Sequence, residues 1–201
     1  MLLKQFGRSL KKNFQQLPNL YSGLNEVVDL IEQQKIVAIF QGKMEAGPRA
    51  LGNRSILYDP RDPHAQKKVN MIKGREVWRP FACSIMQEYS KEWFEMLTLK
   101  ETPYMMYSIP VREEKKHLIP GVLHVDGTSR IQTVTKKQNY HYYNLIKKFY
   151  NRTGIPLLFN TSFNLAGEVM CYSVEDSLDV LRRSQIDYLY LPQEGKVICI
   201  S

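Results

Sequence analysis

Apolar residues recur along this chain with two distinct periods, and those periods divide it into helices and strands. Leu24, Val27, Val28 and Ile31 stand at i, i+3, i+4 and i+7, the signature of one helix face. Ile36 to Phe40 is a short, largely β-branched run that predicts a buried strand ending at Gln41-Gly42. Asp62-Pro63 has the form of an N-cap with proline at the first helical position, and Gly74 that of a stop. The spacing between them predicts a helix of about three turns.

Further on, Phe81 to Met86 and Tyr104 to Ile109 read as strands, with a helix predicted from Glu88 to Leu97. Arg130 to Val134 alternates as a strand does. Tyr142, Leu145, Ile146 and Phe149 form a second amphipathic face, ended by Gly154. Pro156 to Asn160 predicts another buried strand, and Ser173-x-x-Asp176 has the spacing of a capping box before a helix. Ile186–Leu191 and Lys196–Ile200 read as closing strands joined by a turn with Pro192 and Gly195. Residues 1–20 lack periodicity and read as an arm or loop. Mixed strands and helices with no internal linker predict one α/β or α+β domain over 21–201.

Composition narrows the class. At 201 residues, 43% hydrophobic and 24% charged, the chain has the values of an ordinary globular domain. Its three cysteines, Cys83, Cys171 and Cys199, are far apart and include no Cys-x-x-Cys pair, which argues against zinc and disulfides and for a reducing, cytoplasmic setting. The basic N-terminus lacks a signal peptide's apolar core, and no stretch of about 18 apolar residues predicts a membrane span.

The net charge of +8 points to an anionic partner: nucleic acid, an acidic lipid surface or an anionic small substrate. Between Lys43 and Arg79 nine Lys/Arg face four acids, mostly in segments with Gly and Pro turns. Arginines beside glycines on loops suit a pocket for phosphates better than a groove-reading helix.

Four segments beside predicted strands carry the candidate chemistry. In Gly42–Ser55, Gly47 and Gly52 permit close backbone approach, and Arg49 and Arg54 offer bidentate forks; solvated arginines on a glycine turn are the plainer reading. In Lys73–Phe81, Lys73 and Arg75 either bind anions or complement a helix C-terminus. Arg79, between Trp78 and Pro80-Phe81, is expected to be partly buried and in need of a partner. In His124–Gln132, His124 and Asp126 would share a face of an extended strand, too few ligands for a metal, with Arg130 the better ligand-binding candidate and Asp126 orienting it. Asn160-Thr161-Ser162-Phe163-Asn164 follows a strand's carboxyl end, where open α/β sheets hold ligands, although it also reads as an Asx/Ser turn. Cys83 reads as a buried structural cysteine. No Walker loop, dinucleotide fingerprint, nucleophile elbow or catalytic triad is legible. Cations, amides and hydroxyls without an obvious base are the equipment of phosphoryl or adenylyl transfer.

Gly47-Pro48-Arg49-Ala50-Leu51-Gly52-Asn53-Arg54-Ser55, Trp78-Arg79-Pro80-Phe81-Ala82, His124-Val125-Asp126-Gly127-Thr128 and Asn160-Thr161-Ser162-Phe163-Asn164 closely resemble motifs of one family. That family is the C-terminal domain of the O-carbamoyltransferases of antibiotic and nodulation-factor biosynthesis. The match runs in the family's order and spacing from about Leu24 to the end. The resemblance implies a twisted, mixed open α/β sheet with flanking helices, as in threonylcarbamoyl-adenylate synthases. It also implies an activity: carbamoyl phosphate and ATP, with Mg²⁺ accompanying the nucleotide, give carbamoyl-adenylate and pyrophosphate. An actin-like, iron-binding N-terminal half of the family then transfers the carbamoyl group to a hydroxyl acceptor. That half has no counterpart here and is expected as a separate partner, carrying any iron.

Carried over, Arg49, Arg79 and Arg130 would hold carbamoyl phosphate or nucleotide phosphates, and Lys73 and Arg75 the charge on departing pyrophosphate. Asn160 and Ser162 would bind the carbamoyl amide or a phosphate. Lys73-x-Arg75 and Ser162-x-Asn164 resemble the synthases' own signatures, and Arg54 either binds ligand or braces its loop. Cys83 and Ala46 depart from the family's usual proline and aromatic. Two other readings remain beside the enzyme: a nucleotide- or nucleic-acid-binding module without catalysis, and an interaction subunit with relic catalytic residues.

Overall fold

Where the two periods are clean, the elements form as the pattern predicts. The computed structural model describes residues 19–200, so most of the expected N-terminal arm lies outside the described residues. The strands are β1 (Asn19–Ser22), β2 (Val37–Phe40), β3 (Arg54–Tyr58), β4 (Ala82–Met86), β5 (Ser108–Pro110), β6 (Thr128–Val134), β7 (Leu157–Ser162), β8 (Tyr188–Leu191) and β9 (Lys196–Cys199). They make one nine-stranded sheet in the order β1-β9-β8-β2-β3-β7-β4-β6-β5. β2 with β8 and β4 with β6 run parallel, and the other neighbours are antiparallel, so the sheet is mixed.

The helices are α1 (Leu24–Glu32), α2 (Ala65–Lys73), α3 (Ser90–Trp93), α4 (Glu113–Lys116), α5 (Tyr140–Thr153) and α6 (Val174–Arg183). α1 and α5 pack on each other, burying Val27, Val28 and Ile31 with Leu145, Ile146 and Phe149 in one continuous core. At ~25 cal/mol per Å² of apolar surface, each large side chain so buried contributes about 1.5–3 kcal/mol before entropy. α5 ends at Gly154 and α2 at Gly74, both in the left-handed conformation expected of a helix stop. The capping box of α6 is complete: Ser173 Oγ accepts from Asp176 N at 3.1 Å, and the Asp176 carboxylate accepts from Ser173 N at 2.8 Å.

Four expectations require correction, and one strand was not anticipated. Residues 19 and 20 belong to β1, paired to β9, rather than to an arm. β3 was hidden because Arg54 and Ser55 open it, yet all five of its residues are buried. α2 starts at Ala65, because the Asp62 carboxylate is engaged elsewhere: it accepts from His64 N, the Tyr58 hydroxyl and Lys68 Nζ at 2.7–2.8 Å. The helix expected over 88–97 is a 3₁₀ turn at Gln87–Tyr89 and the short α3, after which Phe94 turns extended and bridges Val111. Only Ser108–Pro110 of the strand expected from Tyr104 forms, since Met105 has φ 56° and breaks the extended path.

Candidate functional site

Three strands bring one polar row together. Arg130 on β6 is in register with Ala82 on β4, and Ala82 with Asn160 on β7. In-register neighbours project to the same face, so Arg130 and Asn160 flank the small Ala82 side chain. Two residues along, Gln132 and Ser84 are paired in the same way, and Ser84 Oγ donates to Gln132 Oε1 at 2.7 Å.

Beyond the end of β7, the 162–168 loop closes over the last turn of α2. Lys73 is only 3% exposed. Its Nζ donates to Ser162 O (2.5 Å), Asn164 Oδ1 (2.9 Å) and Asn164 O (3.0 Å), with Ser162 Oγ at 3.4 Å. All four oxygens are neutral. Burial, reinforced by the nearby Arg75 guanidinium, therefore lowers the Lys73 ammonium to about 7. Ser162 Oγ in turn donates to Asn164 Oδ1 at 2.7 Å. Lys73, Arg75, Arg79, Ser162 and Asn164 line one cleft of about 500 Å³.

The guanidinium groups adjoin in a chain. Arg75 stacks on Phe81, 4.4 Å from the ring centroid, and its Nε donates to Asn70 Oδ1 at 2.6 Å. Burial first, then the charges of Arg79 and Arg130, lower its pKa. Arg130 is lowered by burial and by Arg49. The buried Nε atoms of Arg49 and Arg130 have no hydrogen-bond partner, nor does Asn160 Oδ1. Arg79 differs from expectation: its side chain is 48% exposed and pairs with Glu76 at 2.8 Å. The reason is the Asn70 amide, which donates to the carbonyls of both Val77 and Arg79 and holds the loop across the end of α2, leaving Trp78 in solvent.

Arg54 and the NH₂ of Asn160 belong to the scaffold. Arg54, 3% exposed, lies over the Phe40 ring at 3.5 Å and donates to the carbonyls of Gln41 (2.5 Å), Cys171 (3.0 Å) and Asn53 (3.0 Å). It braces the loop. Asn160, 1% exposed, donates to Ser84 Oγ at 2.8 Å and to Ala50 O at 3.1 Å. His124 and Asp126 stand in a turn rather than a strand. His124 Nε2–H donates to Phe81 O at 2.7 Å, and Asp126 accepts from the Thr128 hydroxyl and amide, so Asp126 holds its own turn and does not orient Arg130. Burial pushes the Cys83 thiol up to about 12, which leaves it inert.

Residues that pattern reading left without a role complete the site. The Glu45 carboxylate accepts from three main-chain amides, Leu51, Asn53 and Arg54, at 2.6–3.0 Å. A lone acid among glycines and arginines was the only signal. A second cleft of about 540 Å³, lined by Met44, Glu45, Pro48 and Met170 among others, meets the first at Ser162 and Asn164.

Known proteins are similar to this chain in sequence and in fold. A family model described as carbamoyltransferase C-terminus matches residues 28–195. The nodulation protein NolNO of Sinorhizobium fredii is 42% identical over 167 residues, 82% of this chain but 25% of that protein, so the chain spans a quarter of that relative's length. Among solved structures, full-length HypF in a phosphate- and nucleotide-bound form superposes with a TM-score of 0.58 at 17% identity, covering 85% of this chain and 25% of that one. A doubly substituted Sua5 of P. abyssi gives 0.53 at 17% identity, covering 84% and 48%. These two likenesses establish the threonylcarbamoyl-adenylate-synthase type of fold.

Proposed function

The chain belongs to the carbamoyltransferase C-terminus family, and from that premise we propose that its cationic cleft joins carbamoyl phosphate and ATP as carbamoyl-adenylate. The observation that carries this reading is the chain of adjoining cations, Lys73, Arg75, Arg79, Arg130 and Arg49; among the described residues, only Arg79 of these has a carboxylate within salt-bridge distance. Such a surplus destabilises the empty site and is relieved by a polyanion.

Water displaces phosphate from carbamoyl phosphate, the carbamate oxygen attacks the α-phosphorus of ATP, and pyrophosphate leaves. Both reactants are anions, and a cationic, water-poor cleft brings them together. Lys73 and Arg75 neutralise charge building on pyrophosphate. Arg49, Arg79 and Arg130 hold the phosphates, and Ser162, Asn164 and the unpartnered Asn160 Oδ1 offer polar atoms to the carbamoyl amide. Magnesium bound with the triphosphate would supply further charge neutralisation. The transfer to a hydroxyl acceptor falls to the family's actin-like, iron-binding half. Among the described residues no helix is long and apolar enough to cross a membrane.

ATP–pyrophosphate exchange tests the reading. Exchange that depends on added carbamoyl phosphate is expected from purified protein with Mg²⁺, alone or beside an actin-like partner. ATP binding without any exchange would instead make the chain a nucleotide-binding module.

A further inference from the structure

The turn that follows Arg49 is held with unusual completeness. From Ala50 O to Arg54 N every main-chain group has a partner, and most of those partners are side chains. Three successive carbonyls are each gripped by a side-chain amide: Ala50 O by Asn160 at 3.1 Å, Leu51 O by Gln132 at 3.0 Å and Gly52 O by Gln41 at 2.7 Å. On the opposite side the Glu45 carboxylate takes three N–H groups, and Ser55 Oγ takes that of Gly52 at 3.0 Å. Gly52 has φ 102°, and a Cβ there would sit 2.2 Å from the Tyr142 ring. The turn lies flat on that ring.

Gln132 connects this turn to the rest of the site. Its Oε1 accepts from Ser84 and Asn160, at 2.7 and 3.4 Å, which leaves its NH₂ to face Leu51 O. Gln132 is also two residues from Arg130 on the same face of β6. One side chain therefore ties the strand bearing Arg130 to the turn after Arg49, the neighbour whose charge Arg130 feels.

We infer that Glu45 and Gln132 are positioning residues, which fix the Ala50–Arg54 turn so that Arg49 stays beside Arg130. Neither touches ligand in this assignment; both act through Arg49. The inference rests on the proposed function only for its kinetic arm.

The test is a double-substitution cycle of Glu45→Gln and Gln132→Met with Arg49→Ala, read by carbamoyl-phosphate-dependent exchange, by equilibrium ATP binding and by amide hydrogen exchange. Each positioning variant alone should lower the exchange rate roughly tenfold and speed hydrogen exchange at Leu51, Asn53 and Arg54. In the Arg49→Ala background the same variants should cost less than about twofold more, because acting through a residue already removed is non-additive. A further loss of about tenfold in the Arg49→Ala background, as independent sites would give, or unchanged protection of those three amides, would overturn the inference. Gln132→Met keeps the charge and Glu45→Gln keeps the shape, so effects of charge or folding alone do not reproduce the pattern. If wild-type protein exchanges no pyrophosphate, the proposed chemistry fails while the cycle on ATP binding still decides the positioning role.

Discussion

Arg54 on β3 and Arg130 on β6 carry the same guanidinium, and the molecule treats them in opposite ways. Arg54 meets the carbonyls of Gln41, Asn53 and Cys171 and the face of Phe40. Arg130 has a buried Nε without a partner and a second arginine as its neighbour. The Arg54 guanidinium gives its donors to protein carbonyls, whereas Arg130 keeps a buried donor unpaired beside another cation. The difference lies in what is left unpaired, and residue type alone does not reveal it.

That comparison breaks first at Arg54. Arg54→Ala strands several buried carbonyls, so a loss of about 3–4 kcal/mol is expected, lowering the thermal midpoint by roughly 10 °C. Arg130→Ala should do the reverse, leaving the midpoint nearly unchanged while the exchange rate falls by ~2–4 kcal/mol of transition-state stabilisation, about 30–1000-fold. Equal melting losses in both variants would erase the distinction.

Lys73 sharpens the contrast through protons. Its folded value of about 7 lies below the ordinary 10.5, so between those limits the unfolded chain binds more protons and stability rises with pH through that window. A bound anion favours the ammonium and raises the folded value again. Calorimetric binding of ATP at pH 8, in buffers of different ionisation enthalpy, should therefore show uptake of up to about one proton, abolished in Lys73→Met. The smallest effect belongs to Arg79. Half exposed and paired with Glu76, it should lose less than about 1 kcal/mol, or roughly fivefold in rate, as Arg79→Ala.

Most of the sheet and four of its helices were legible, because Val27–Ile31, Tyr142–Phe149 and Ser173–Asp176 obey local rules of periodicity and capping. β3 was not, since a fully satisfied Arg54 looks the same in a sequence as a solvated one. The apolar neighbours of Arg79 predict a partly buried guanidinium, but the amide of Asn70, nine residues away, holds that loop outward. Glu45 and Gln41 act through main-chain atoms of a turn 6 to 11 residues on, and Gln132 through the same turn 81 residues back, and such bonds leave no pattern in residue order. Of the cations and amides the sequence singles out, Lys73, Arg75, Arg79, Ser162 and Asn164 line one cleft; which side chains keep unpaired atoms depends on pairings 81 to 110 residues apart, such as Gln132 with Leu51 and Asn160 with Ala50.

The ammonium of Lys73 spans 89 and 91 residues of chain to reach Ser162 and Asn164. A cavity assembled across so long a loop exists only in the finished fold, and no partly folded species can offer it. Any molecule that fits it therefore reports on the whole protein: at a hundred times its dissociation constant it raises global stability by about 2.7 kcal/mol. A simple melting curve thus becomes a screen, able to rank candidate ligands before any reaction has been observed.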